Sequence, residues 1–367
     1  MALLGCIAED LAGAMAFGAV LTREGMRTVL IRGRPDAPLP DCDALILQAR
    51  GAAESLIACD ALLAAGARRI VQVTGPGFDS PDIGAVADAL LRRLQASFAA
   101  VVPAYPPEGR SVYLGHLFLN TALAAGEPNL PRRLAAQTDS PVGLLPFRIV
   151  EEGAGAIRHE ISRLAEAGRR YAVADALTEA HLRALGEAVA AQALLIGGTG
   201  LAVGLPGNLN RAGLLSKDER ETYLSPGGAC VVLAASNTRV AVAQIGLARL
   251  YLPVLDIAAG DGAEEILARA EPQLSDEQPL VIVVPEDEAA LLAAIAKGLV
   301  ARGVRRMLVA GEALGEAVAD RLALGQLRIG PEIDPGVPWC IAEGTGLHIA
   351  FKPGAAGSRD ILLRAFG

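Results

Sequence analysis

A two-domain α/β protein is what this sequence predicts: a larger parallel-sheet N-terminal domain, residues 1–225, followed by a smaller α/β C-terminal domain, residues 226–367. Three observations predict it. The chain has 367 residues, beyond the size at which one hydrophobic core usually stops growing. Short apolar runs alternate along it with longer Ala/Leu-rich stretches of helical period. Hydrophobic residues make up 52% of the chain while aromatics are only 4%, so Ala, Leu and Val must build two ample cores.

Taken in order, the strands expected in the first part are Leu3–Ala8, Thr28–Ile31, Ala44–Leu47, Arg69–Val73, Ala99–Val102, Val142–Leu145, Tyr171–Ala174 and Ala193–Ile196. Helical periodicity falls at Gly13–Glu24, Gly51–Ala65, Ile83–Ala96, Gly155–Ala167 and Glu179–Ala191. Such alternation predicts a parallel sheet covered on both faces. The turn-rich Ser225-Pro226-Gly227-Gly228, after the polar stretch Ser216–Thr222, marks the boundary. Beyond it come a strand at Ala229–Ala234, a helix near Arg239–Leu250, a strand at Leu280–Val284, a helix at Glu288–Ala301, a strand at Arg306–Ala310 and a helix at Glu312–Leu322. The acidic segment Asp256–Gln278 reads as an exposed helix with its connectors. Ile329–Trp339 holds three prolines, two glycines, two carboxylates and the only tryptophan. Its restricted backbone reads as a fixed turn that presents main-chain groups, Gly330 among them, to a ligand.

The net charge of −8 and the scattered arginines argue against a nucleic-acid partner. No apolar run reaches the roughly 18 residues of a membrane span, and no membrane partner is expected. Met1–Ala8 is apolar, lacks a basic leader and meets Glu9-Asp10 at once, so it reads as a strand and not a signal peptide. The five cysteines, Cys6, Cys42, Cys59, Cys230 and Cys340, lack metal-ligand spacing. Buried thiols in a reducing, cytoplasmic compartment follow.

In parallel α/β sheets ligands bind beyond the carboxyl ends of the strands, so residues just after each strand are the functional candidates. Glu9 and Asp10 follow the first strand, where a carboxylate can act as a base, bind Mg²⁺ or cap the next helix. Arg50 follows the third and suits a carboxylate bidentately, or is a surface arginine. Asp79-Ser80 before Pro81 follows the fourth and also reads as an ordinary helix start. Ser236 and Thr238 lie between a strand and a helix, where hydroxyls and amides bind phosphate or simply cap. Lys352-Pro353-Gly354-Ala355-Ala356-Gly357 is a glycine turn with one of only three lysines, electrostatically suited to phosphate. The turn Gly197-Gly198-Thr199-Gly200 either cradles an anion or lets a helix approach closely. No Gly-x-Gly-x-x-Gly follows the first strand, which disfavours a nicotinamide-dependent oxidoreductase.

Several of these motifs, in this order, carry a resemblance that spans Ile7 to Ala365: Ile7-Ala8-Glu9-Asp10-Leu11-Ala12-Gly13-Ala14, Phe78-Asp79-Ser80, Gly109-Arg110-Ser111-Val112-Tyr113-Leu114-Gly115-His116, Val173-Ala174-Asp175-Ala176, Gly311-Glu312 with Gly315, the proline-rich stretch, and Lys352 with Gly354 and Gly357. The chain resembles the four-carbon acid sugar kinases, which phosphorylate small sugar acids such as 3-oxotetronate, threonate and erythronate with ATP. The resemblance implies an N-terminal sugar-acid domain and a C-terminal nucleotide domain, closing to align a hydroxyl with the γ-phosphate. It implies Asp10 as general base, with Glu9, Arg50, Asp79, Arg110 and His116 as substrate contacts. It implies Ser236, Thr238, Gly311, Glu312, Gly315, Gly330, Lys352, Gly354 and Gly357 as ATP contacts, with Mg²⁺ as the ion and its ligands unassigned. His116 also reads as a structural histidine.

The chain departs from the family pattern at named places. Ala12 stands for a threonine, Gln48-Ala49 for Lys-Ser, Val73 for a lysine and Ala313-Leu314 for a hydroxyl pair, and a His/Pro/Thr/Met-rich segment is missing between Thr121 and Leu134. An ATP-dependent sugar-acid kinase is therefore the first expectation. A catalytically impaired kinase-like protein that binds a ligand or partner without turnover is the second. A homodimer is held open as the assembly.

Overall fold

The structure, a computed structural model, describes residues 2–33, 39–215, 226–235, 238–258, 260–284, 288–354 and 356–367, without the side chain of Glu312. Contacts divide the chain into two units, Met1–Arg220 and Glu221–Gly367. The expected boundary motif begins at Ser225, outside the described residues.

The first unit is built on strands β1 (Leu4–Ala8), β2 (Thr28–Ile31), β3 (Ala44–Gln48), β4 (Ile70–Val73), β5 (Ala99–Val102), β6 (Arg110–Tyr113), β7 (His116–Leu119), β8 (Ala122–Leu123), β9 (Val142–Leu145), β10 (Tyr171–Ala174) and β11 (Leu194–Gly197). The main sheet runs β2-β3-β1-β4-β11-β5-β10-β9 and every pairing in it is parallel. Most of its strands are buried along their whole length, as expected of apolar strands covered by helices on both faces. A separate antiparallel sheet, β6-β7-β8, carries the hairpin around His116.

The topology fixes where the crevice lies. β1 leads through helix Leu11–Arg23 to β2, passing β3, and β3 leads through helix Gly51–Ala64 to β4, passing β1. Right-handed crossovers in opposite directions put these two helices on opposite faces. The chain therefore opens at the carboxyl ends of β1 and β3, the topological switch point at which α/β sheets bind ligands. The glycine-rich turn after β11 resolves as close packing. A Cβ on Gly200 would lie 1.9 Å from the Ala104 carbonyl oxygen, and one on Gly204 would lie 2.4 Å from that of Leu182.

The second unit contains β12 (Ala229–Ala235), β13 (Val254–Asp256), β14 (Leu280–Val284), β15 (Val304–Ala310), β16 (Gln326–Asp334), β17 (Val337–Ala342) and β18 (Leu347–Lys352). Its strand order is β13-β14-β12-β15-β18-β17-β16, parallel from β13 to β18 and antiparallel on either side of β17. The core gathers Val232, Ile245, Leu308, Trp339, Ala350 and Ile361, and the Trp339 indole donates to the Ala365 carbonyl at 3.1 Å.

One expectation changes here and one holds. Ile329–Trp339 is not one turn. It is the end of β16, a tip at Pro335-Gly336 with Gly336 at φ 76, and the start of β17. The prolines fit a hairpin because the ladder is irregular between Ile329 and Asp334, and bulges tolerate a residue that cannot donate. Gly330 accordingly lies within a strand and not in a ligand loop. The acidic segment from Asp256 holds the end of β13, helix Ala263–Ala270 and a short turn Glu271–Gln273. Its Glu264-Glu265 lie in the first helical turn, where carboxylates are favoured.

Candidate functional site

At the switch point of the first unit, Asp10 ends the connection after β1 and caps helix Leu11–Arg23, its Oδ1 accepting from Gly13 N–H at 2.6 Å. Glu9 beside it is exposed, and its carbonyl oxygen accepts from Arg50 Nε at 3.3 Å. The register Ala8 to Gln48 across β1 and β3 makes this meeting unavoidable. The sequence-predicted Glu9, Asp10 and Arg50 are thus brought to one edge, two acids and a guanidinium at adjacent strand ends.

Next to them is a small cavity of about 30 Å³ lined by Glu9, Ser55, Gln72, Thr74, Ser80 and Asp82, among others. The helices Gly51–Ala64 and Ile83–Arg93 both begin at it, and neither has a side-chain cap. Gln72 is 5% and Thr74 6% exposed. Gln72 Nε2 donates to the Ile83 carbonyl at 3.0 Å, whereas Gln72 Oε1 and Thr74 Oγ1 have no protein partner. Neither residue was a sequence candidate. The signal was present as a glutamine inside the run Ile70-Val71-Gln72-Val73, a strand expected to be apolar on both faces.

Of the remaining first-unit candidates, Asp79 adjoins the cavity residue Ser80, while Arg110 and His116 lie on the β6–β7 hairpin. Asp79 is exposed, with its carboxylate against Gly77, where a Cβ would lie 2.8 Å from it. Arg110 pairs with Glu108 at 2.7 Å and stacks over the Tyr105 ring at 5.5 Å. His116 has Nδ1 2.8 Å from the Leu114 carbonyl oxygen and Nε2 3.4 Å from Asn129 Nδ2. β5, which leads into the hairpin that carries Arg110, lies three strand spacings from β1, roughly 14 Å. The hairpin turn before His116 is held by Asp175, fully buried at the end of β10. Its carboxylate accepts from Leu114 N at 2.9 Å, Gly115 N at 2.8 Å and Phe147 N at 2.8 Å. Burial raises its pKa despite these three donors.

In the second unit the candidates converge at the carboxyl edge of β12, β15 and β18. Lys352, the last residue of β18, is 1% exposed. Its Nζ donates to the Pro353 and Gly354 carbonyls, each at 3.0 Å, and no carboxylate faces it in these contacts. Desolvation lowers its pKa to about 8. Gly311 has φ 144, which favours glycine, begins helix Glu312–Arg321, and donates its N–H to the Lys352 carbonyl at 2.9 Å. Gly315 N–H in turn donates to the Gly311 carbonyl at 2.9 Å. Thr238 caps helix Arg239–Ala248 by accepting from Ala241 N–H at 3.0 Å, and its hydroxyl donates to the Gly354 carbonyl at 3.2 Å. Gly357 has φ 82. Ser236 and the Glu312 side chain lie outside the described residues.

Two residues that sequence reasoning missed hold this loop in place. Gln244, 2% exposed, donates from Nε2 to the carbonyls of Ala356, Gly357 and Ser358 at 3.1, 3.1 and 2.9 Å. It sits on the buried stripe of its helix with Ala241, Ile245 and Ala248, so a polar residue on an apolar face was its signal. Asp334, at the tip of the β16–β17 hairpin, accepts from Ser358 N and Oγ, both at 2.7 Å, and from Arg364. Burial alone would raise its pKa, but these donors hold it below the usual carboxylate value. All five cysteines are buried and none is joined in a disulfide. Among the described residues there is no cluster of three His, Cys, Asp or Glu able to hold a metal, and no helix is long and apolar enough to cross a membrane.

Comparison with known proteins divides the chain in the same chemical sense. Residues 4–205 match the model of a sugar-binding N-terminal domain, and residues 231–362 that of a nucleotide-binding C-terminal domain. The 3-oxo-tetronate kinase of Pseudomonas savastanoi pv. phaseolicola is 36% identical over 99% of this chain and 96% of its own. That of Salmonella typhimurium is 31% identical over 99% and 98%. Among solved structures, a Salmonella typhimurium LT2 protein described provisionally as a tRNA synthase is 30% identical over 99% of this chain and 98% of its own, with a TM-score of 0.90. A Haemophilus influenzae protein is 28% identical over 98% of each chain, with a TM-score of 0.83.

Proposed function

The chain belongs to the four-carbon acid sugar kinase family, and from that premise we propose that it transfers the γ-phosphoryl group of ATP to a hydroxyl of a small, four-carbon-like sugar acid. The observation that carries the nucleotide half is Lys352. It is a buried ammonium whose described partners are two loop carbonyls, beside a helix start at Gly311 and a glycine loop. A buried cation without a carboxylate is costly unless an anion comes to it, and a phosphate is the anion that a nucleotide-binding unit meets. Thr238 and Gln244 hold the loop over it.

In the first unit, Arg50 supports the substrate carboxylate through its guanidinium. Asp10 Oδ1 is committed to its cap, so Oδ2 takes the proton as the substrate hydroxyl oxygen bonds to the γ-phosphorus and the bond to the ADP oxygen breaks. Chemistry of this kind relies on positioning and charge neutralisation more than on covalent help. The described residues offer no protein-built cage for Mg²⁺. An ion that arrives with the nucleotide phosphates needs only one or two carboxylates, and no step is assigned to it.

The test is calorimetric titration of the full chain with Mg-ATP, followed by ³¹P detection of product with a panel of four- and five-carbon acids. Nucleotide binding and a phosphorylated acid are expected. Absence of nucleotide binding, or binding without transfer to any acid, overturns the reading.

A further inference from the structure

We propose that the cavity between β4 and the starts of helices Gly51–Ala64 and Ile83–Arg93 reads a non-reacting hydroxyl of the sugar acid, with Gln72 and Thr74 as the specificity-determining residues. The proposal rests on the sugar-acid reading above and adds a geometry that departs from simple charge recognition.

Three observations lead to it. Gln72 and Thr74 stand two residues apart around the end of β4, so their side chains share one face, and both line the cavity. Both are more than nine-tenths buried, and Gln72 Oε1 and Thr74 Oγ1 lack a protein partner. The amide orientation is set by its other end, because Nε2 donates to the Ile83 carbonyl, so the oxygen is the atom left over. A volume of about 30 Å³ corresponds to roughly two water molecules, the size of one carbinol group and too small for a whole four-carbon acid.

Charge and hydrogen-bond valence then select the group. The two helix starts would favour an anion, although Glu54 already supplies one to the Arg50 N–H at 2.8 Å. Gln72 Oε1, however, has no proton to give, and Glu9 and Asp82 line the same space. A carboxylate or phosphate would face an acceptor and two acids. A hydroxyl meets both needs, donating to Gln72 Oε1 while accepting from the Thr74 hydroxyl. A keto oxygen satisfies only Thr74. A hydroxyl held here gives its proton to Gln72 Oε1 and not to Asp10, so the hydroxyl that is read is not the one phosphorylated. The acid's carboxylate is left for Arg50.

The experiment measures binding of threonate, 3,4-dihydroxybutanoate and 2,4-dihydroxybutanoate to the full chain. All three keep the terminal hydroxyl, and each of the last two lacks one inner hydroxyl. The wild-type protein is expected to prefer threonate over one of the deoxy acids by about 10- to 100-fold. Thr74→Val and Gln72→Met should reduce that preference to within about twofold, chiefly by weakening threonate binding. Thr74→Val removes an atom without a protein partner and is near-isosteric, so it is the variant whose folding is secure. If the wild type binds these acids and both variants keep its preference, the cavity holds water only and the proposal fails while the kinase reading stands. If the wild type binds none of the acids, the sugar-acid reading and the proposal fall together.

Discussion

Thr238 Oγ1 donates to the carbonyl oxygen of Gly354 at 3.2 Å while accepting from the N–H of Ala241 at 3.0 Å. One hydroxyl thereby joins the start of a helix to a loop 116 residues away in sequence. Thr238→Val should lose both bonds, costing about 1–2 kcal/mol of stability in urea unfolding, and should weaken nucleotide binding by releasing the loop. Thr238→Ser retains both bonds and should behave as the wild type. A loss in Thr238→Ser with none in Thr238→Val would show that the methyl group, not the hydroxyl, matters.

Asp10 has two roles that substitution separates. Asparagine caps a helix about as well as aspartate but cannot take a proton. Asp10→Asn should therefore keep the melting temperature and lose roughly 10²- to 10⁴-fold in kcat. Asp10→Ala should lose both activity and about 1 kcal/mol of stability. Turnover of Asp10→Asn near the wild-type rate would leave the carboxylate as a cap alone.

Much of this was legible in the sequence because it depends on local pattern. Strands such as Tyr171–Ala174 and helices such as Ile83–Arg93 follow from apolar period and length, and Asp10 was identifiable as a cap or a base before its bond to Gly13 was seen. What sequence did not show are partners distant along the chain. Gln244 stands out in sequence only as a polar residue on an apolar helix face, and its partners in the loop 356–358 lie far along the chain, as Ser358 does for Asp334. The hairpin at Pro335-Gly336 was read as a longer turn because local proline content outweighed a pairing that only the neighbouring strand reveals. Gln72 could have been noticed, since a polar residue within a doubly covered strand needs a reason to be there.

Lys352 predicts a pH dependence with two opposite signs. Its pKa is lowered to about 8 by desolvation, from roughly 10.4 in an unfolded chain. A bound phosphate favours the charged form, so nucleotide affinity should fall as pH rises through 8. Lys352→Met should weaken binding about 10- to 100-fold at pH 7 and flatten this profile. Without nucleotide the sign reverses. Between about 8 and 10.4 the unfolded chain binds more protons than the native one, so this group's contribution to stability rises with pH. Isothermal titrations at pH 7, 8 and 9 check the first limb, and urea midpoints over the same range check the second.

Asp334 sets the acid limit of the loop that follows β18. Its carboxylate is nearly buried and, though burial opposes it, donors from Ser358 and Arg364 hold its pKa below the usual value. A depressed carboxylate stabilises the fold above its unfolded pKa of about 3.9, and that contribution is lost as pH falls through the lower native value. Asp334→Asn removes the charge while leaving an oxygen for Ser358. It should cost roughly 1–2 kcal/mol at pH 7, with the deficit narrowing below about pH 4 as the wild-type carboxyl is protonated. Arg364 is half exposed, so salt should erode the ion-pair part of the difference and leave the Ser358 part. Urea unfolding of both proteins at pH 7 and pH 3, in low and high salt, measures the two shares. A deficit that stays constant with pH would mean that the loop is held by shape and not by this charge.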